Sequence, residues 1–141
     1  MRPKISVVTP AFNESGNVVE LYDRIKAAFA LLPEYDYEHL FIDNASTDDT
    51  VAKVKALAAA DPRVKLIVNI RNFGHLRSPH HAFMQAEGDA VIVMCSDLQD
   101  PPELIPAFLA KWREGFPVAL GVKTKSEESW LMRLLRSVYY A

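Results

Sequence analysis

Residues 5–33, ISVVTPAFNESGNVVELYDRIKAAFALLP, decide how this chain folds. Ile5 to Thr9 is a compact, β-branched run of the kind that forms a strand buried on both faces. A polar stretch follows, and then Val18, Leu21, Ile25, Phe29 and Leu32 recur at the spacing of one helix face, which Pro33 stops. Strand, loop and helix make the first half of a βαβ unit, and the rest of the chain repeats the rhythm. Tyr37 to Ile42 reads as a second strand, and Ser46 with Asp49 three positions on predicts a cap for a helix through Val51, Val54 and Leu57 that Asp61-Pro62 ends. Val64 to Ile70 is a third strand, His80 to Glu87 a helix, and Ala90 to Cys95 a fourth strand. Pro102 opens a helix to Glu114, Val118 to Val122 extends as a short fifth strand, and residues 126–140 form an amphipathic helix. The expectation is an α/β domain over residues 1–141, a mostly parallel, doubly wound sheet with helices on both faces.

Composition agrees and narrows the function classes. A chain of 141 residues, half of them apolar and 24% charged, builds one core without a disulfide or metal staple. The single cysteine, Cys95, excludes disulfide scaffolds and points to a reducing compartment. Sixteen basic against eighteen acidic residues leave a net charge of −2, no general attraction for a nucleic-acid polymer. The apolar run behind Met1 is too short for a signal peptide, and no run approaches the ~20 residues that cross a bilayer. A cytoplasmic location is expected.

In doubly wound sheets ligands bind outside the carboxyl ends of the strands, which directs attention to Pro10 to Glu14, Asp43 to Ser46, Arg71 to Gly74 and Ser96 to Asp100. No Gly-x-Gly-x-x-Gly and no Gly-Lys-Ser/Thr occurs, so the usual phosphate cradles are missing. The densest cluster is CSDLQDPPE, residues 95–103. Its Asp97 is a candidate ligand for Mg²⁺ or Mn²⁺, hard cations that often reach a protein through one or two carboxylates while a diphosphate supplies further oxygens. The plainer alternative is that Asp97 or Asp100 caps the next helix. Asp43-Asn44 offers a carboxylate and an amide to a nucleobase edge, or else an Asx-type turn feeding Ser46. His80 and His81 are solvated residues at a helix start or contacts to a phosphate.

Taken together, VVTPAFNESGNV (residues 7–18), FIDNASTDDT (41–50), RNFGH (71–75), GDAVIVMCSDLQDPPELI (88–105) and GVKTKSEES (121–129) resemble family 2 glycosyltransferases of the GT-A fold. The likeness is to the polyprenyl-phosphate branch, which includes dolichol-phosphate mannose synthases and bactoprenol glucosyltransferases, and it covers nearly the whole chain. It implies that Pro10, Ala11, Glu14 and Asp43 hold the nucleotide base. It extends the nucleotide-sugar site to Asn44, Arg71, Ser96, Asp97 and Lys123. Asp97 matches the last aspartate of the family's metal-binding Asp-x-Asp, so a divalent cation bridging the donor's diphosphate is implied.

Departures from the family pattern are specific. Cys95 stands where the first aspartate of Asp-x-Asp belongs, a soft ligand that suits Mg²⁺ poorly. HLRSPHH at residues 75–81 is bulkier and more basic than the small-residue stretch of many relatives, and Lys123 and Ser126 replace a pair of phosphate-binding arginines. Relatives continue well past residue 140, so the fold is expected to be incomplete at its C-terminus. The catalytic base has no match, Asp100 being a distant candidate. The expectation is the donor-binding part of an inverting transferase that moves a sugar, UDP-linked, to a lipid-phosphate acceptor at the inner membrane surface. The alternative is a non-catalytic nucleotide-binding or interaction module; a flavodoxin-like or receiver-like domain leaves residues 97–103 unexplained. Residues 126–140, with Trp130, Leu131, Leu134, Leu135 and Val138 on one face, pack on the sheet or lie on an anionic membrane. An apolar seam left uncovered would favour a homo-oligomer.

Overall fold

Four strands pair side by side, and the two central ones, residues 4–11 and 36–43, are buried along almost their whole length between the helical layers. The computed structural model describes residues 2–122. Lys123, Ser126 and the helix expected over residues 126–140 lie outside the described residues. Strands β1 (Lys4–Ala11), β2 (Asp36–Asp43), β3 (Val64–Val68) and β4 (Ala90–Val93) form a parallel sheet in the order β3-β2-β1-β4. Helices α1 (Val18–Ala30), α2 (Thr50–Ala60), α3 (Gly74–Gln85) and α4 (Ile105–Arg113) connect and cover it, with a 3-10 turn at Pro102–Leu104 ahead of α4.

Handedness places the helices. From β1 the chain steps through α1 to β2 and through α2 to β3 in one direction, and then returns through α3 to β4 on the far side of β1. Right-handed crossovers in opposite directions put α3 on the opposite face. The packing agrees: Ile5, Val7, Tyr37 and Phe41 bury against Leu21, Ile25, Val54 and Ile105, whereas Val8, Leu40 and Ile42 bury against Ala82 of α3. Ile5, Val7, Leu21, Ile25 and Phe41 are fully buried, each contributing about 1.5–3 kcal/mol of apolar transfer. The reversal of direction falls between β1 and β4, which puts the switch point, the place where such sheets take ligands, at the carboxyl ends of these strands.

Several boundaries differ from the sequence expectation. Helix α3 starts at Gly74 rather than His80 and carries Pro79 inside it. Pro79 is only its sixth residue, so the missing donor costs one hydrogen bond near an exposed end. Ser46 does not cap α2; its hydroxyl is drawn to Asn13, and Asp49 stands at the N-cap without a side-chain bond. Strands β3 and β4 end two residues early, at Val68 and Val93. Residues 118–122 join no strand, and Val118, Leu120 and Val122 are 72%, 82% and 80% exposed. Alternating apolar residues make a strand only where a neighbour supplies the ladder.

Candidate functional site

Three non-glycine residues have left-handed backbones among the described residues, and all three lie in loops that leave the carboxyl ends of strands. They are Asn13 (φ 56°) after β1, Ala45 (φ 65°) after β2 and Leu98 (φ 58°) after β4. Each such residue costs about 1–3 kcal/mol, and the strain concentrates where loop shape serves a ligand.

The first two loops are stapled together. The Asn13 amide donates to Ser46 Oγ at 2.9 Å and the Thr47 amide to Asn13 Oδ1 at 2.8 Å. The Glu14 amide reaches Thr50 Oγ1 at 2.8 Å, and the Ser15 amide reaches Asp48 at 3.1 Å. The Thr50 hydroxyl, with the Thr50 and Ser15 amides, holds the Asp48 carboxyl well below the usual carboxylate range. The Glu14 side chain accepts from Asn17 at 2.7 Å, at the start of α1. Beneath the staple, Thr9 pairs with His39 Nε2 at 2.9 Å; burial pushes the His39 ring down to about 3, so it stays neutral.

Asp43, the last residue of β2, lies opposite Ala11 and is 1% exposed. One oxygen accepts the Ser46 amide at 2.9 Å, and the other, Oδ1, is buried with no hydrogen bond from the described residues. A buried carboxylate oxygen in that condition is costly, and an N–H donor would relieve it. Asn44 is fully engaged. Its amide nitrogen reaches Asn72 Oδ1 and the Gly74 carbonyl, and its oxygen accepts from Asn69 and the Phe73 amide. It ties the loop before α3 to the end of β2. Arg71 is exposed in that loop and stacks over Phe73 at 4.9 Å.

Across the switch point, Ser96 donates to the Pro10 carbonyl at 2.9 Å and fastens the end of β4 to the end of β1. Asp97 is exposed, and one of its oxygens accepts the Gln99 amide at 3.1 Å. That turn leads into the left-handed Leu98 and through the half-buried Asp100 to Pro101-Pro102. Neither aspartate caps α4, whose N-cap is Leu104. No cluster of three or more metal-ligating side chains occurs among the described residues. The donor set fits a hard cation only as a single carboxylate completed by phosphate oxygens and water, because the exposed Cys95 adds a soft sulfur.

The structure thus brings Pro10, Ala11, Glu14, Asp43, Ser96 and Asp97 to one end of the sheet, with Asn44 and Arg71 beside them. Within the stretch Pro10 to Glu14, sequence reasoning gave no role to Asn13, whose side chain closes the two loops, or to Phe12, which is 46% exposed. An asparagine between two strand-end motifs was the available signal for the first.

Strand order and helix placement define a doubly wound α/β domain. The chain belongs to glycosyl transferase family 2, whose model matches residues 6–139. It is 36% identical over 138 residues to the bactoprenol glucosyl transferase of Shigella phage SfV, covering 97% of this chain and 45% of that protein. It is 35% identical over 132 residues to the undecaprenyl-phosphate 4-deoxy-4-formamido-L-arabinose transferase of Enterobacter sp. (strain 638), covering 92% and 40% respectively. Among solved structures, the mannosyltransferase PcManGT of Pyrobaculum calidifontis, in complex with GDP-Man and Mn²⁺, superposes with a TM-score of 0.66 at 26% identity, over 79% of this chain and 32% of that one. The chain therefore spans less than half the length of these relatives, and the mostly parallel α/β architecture expected of a GT-A domain is the one observed among the described residues.

Proposed function

We propose that this chain is the donor-binding part of an inverting glycosyltransferase that moves a sugar from a UDP-linked donor to a polyprenyl phosphate, working at the inner face of the membrane. The observation that carries the nucleotide reading is the unsatisfied Oδ1 of Asp43. The imide N–H of uracil is a donor of the required kind. Pro10 and Ala11 supply the floor beneath the base, Phe12 an aromatic face, and Glu14 holds the loop's exit into α1. Asn44 acts by positioning the Arg71 loop, and Arg71 and Lys123 supply positive charge for phosphate. Asp97 is the residue that would hold Mg²⁺ or Mn²⁺, which neutralises charge on the departing nucleoside diphosphate. Ser96 keeps Asp97 in register with the base site by tying β4 to β1. The acceptor class rests on the likeness to a bactoprenol glucosyl transferase and an undecaprenyl-phosphate sugar transferase.

Calorimetric titration of UDP into the chain, with and without Mn²⁺, tests this reading. Binding that tightens with Mn²⁺ and loses that gain in Asp97→Ala is expected. Binding that ignores the metal in both forms would leave a nucleotide-binding module without a cation site, and no binding in any condition would remove the donor reading altogether.

A further inference from the structure

We propose that the outward face of α3 is a docking surface for an anionic lipid bilayer. Only Ser78 and Ala82 of this helix are buried. The opposite side exposes Leu76 at 73%, Phe83 at 46% and Met84 at 64%, with His80 between Leu76 and Met84 at helical spacing. Apolar residues of this size are normally turned inward, and here they share one stripe.

Charge selects the occupant. Residues 71–86 contain Arg71, Arg77 and three of the chain's four histidines, with no aspartate or glutamate, in a chain whose net charge is −2. Arg71, His75, Arg77, His80 and His81 are all exposed. The nearest acid in sequence, Glu87, is paired with Lys4 and Lys65 and does not offset them. An apolar stripe flanked by cations is the pattern of a helix lying in the lipid headgroup plane, its apolar side chains among the acyl chains and its cations at the phosphates. The position is also suitable. Asn44 binds the residues that open α3, so a helix on the membrane would carry the Asp43 site to the lipid phosphates. The inference rests on the lipid-phosphate reading for its purpose but is tested without nucleotide.

The test is co-sedimentation of the chain with vesicles of phosphatidylcholine alone and of an equimolar mixture with phosphatidylglycerol. Binding to the mixed vesicles, weakened by salt, is expected. Arg77→Gln should reduce it about fivefold, and Leu76→Ser with Met84→Ser by at least about tenfold, while UDP titration stays unchanged in both variants. No vesicle binding, or binding indifferent to these substitutions, would overturn the proposal. So would a change of oligomeric state by light scattering with vesicle binding intact, since the stripe would then seat a second copy. Vesicle binding lost with UDP binding kept sinks only the docking surface; the reverse sinks only the donor reading.

Discussion

Asp43 concentrates the case for a nucleotide in one side chain. Its Oδ2 is occupied by the Ser46 amide, which fixes the carboxylate plane and leaves Oδ1 as an acceptor with nothing to accept from the described residues. Asp43→Asn separates shape from charge, because the amide oxygen can keep the Ser46 bond while an NH₂ group replaces Oδ1. A donor then faces a donor. We expect the fold to persist and UDP affinity to fall about tenfold to a hundredfold, the range for losing a charge-assisted hydrogen bond, read by calorimetry. The residue itself was legible in the sequence as one of two alternatives, an Asx-type turn or a base contact. The structure combines the two, since one oxygen makes the turn and the other is left over. Its unsatisfied state was not legible, because it depends on the absence of a partner in three dimensions.

At the scale of elements, the βαβ rhythm was readable because the strand runs are short and rich in β-branched residues and the helices show a clear apolar face, as Ile5 to Thr9 and Val18 to Phe29 do. What sequence could not supply were neighbours. Ser46 bonds to Asn13 and does not cap α2, the helix expected from His80 extends back through Pro79 to Gly74, and residues 118–122 pair with no strand among the described residues. Gly88 illustrates the same limit. Gly88-Asp89 reads as a turn, yet the reason for glycine is the close approach of β1. A Cβ there would lie 2.6 Å from the Ser6 amide nitrogen and 2.8 Å from the Lys4 carbonyl oxygen. The Gly88 amide also donates to Ser6 Oγ at 2.9 Å. Gly88→Ala therefore has to push the start of β4 away from β1, against backbone atoms that cannot swing aside. Destabilisation of about 1–3 kcal/mol is expected, measured by denaturant unfolding. The same displacement should weaken Mn²⁺-dependent nucleotide binding, because Ser96 and Asp97 follow that strand.

Over the whole molecule, the two ends of the sheet have opposite characters. The carboxyl end carries strained loops and an unsatisfied carboxylate, while the amino end is locked by a charge network invisible in sequence because its members are distant along the chain. Glu38, nearly buried, accepts ion pairs from Lys4 at 2.7 Å and Lys65 at 2.8 Å, and hydrogen bonds from Ser6 at 2.6 Å and the Glu87 amide at 3.0 Å. Burial alone would raise its pKa, but the two lysines, Ser6 and the amide outweigh it and hold the carboxyl at about 2, below its ordinary 4.5. A carboxyl depressed on folding stabilises the protein above its unfolded value and loses that contribution as pH falls through the folded one. Glu38 should thus contribute about 3 kcal/mol that disappears between roughly pH 4.5 and 2. His39 adds an earlier component. Held at about 3 against an ordinary 6.5, it stays neutral in the fold while the unfolded chain takes up a proton, so stability begins to fall below about pH 6.5. Denaturant titrations at a series of pH values separate the two. Glu38→Gln should be less stable at pH 7, since Lys4 and Lys65 lose their buried partner, and should show a shallower loss below pH 4.5 while keeping the decline that starts near pH 6.5. An acid limb identical in wild type and variant would mean that Glu38 is not held ionised by this network, and that the amino end of the sheet depends on apolar packing alone.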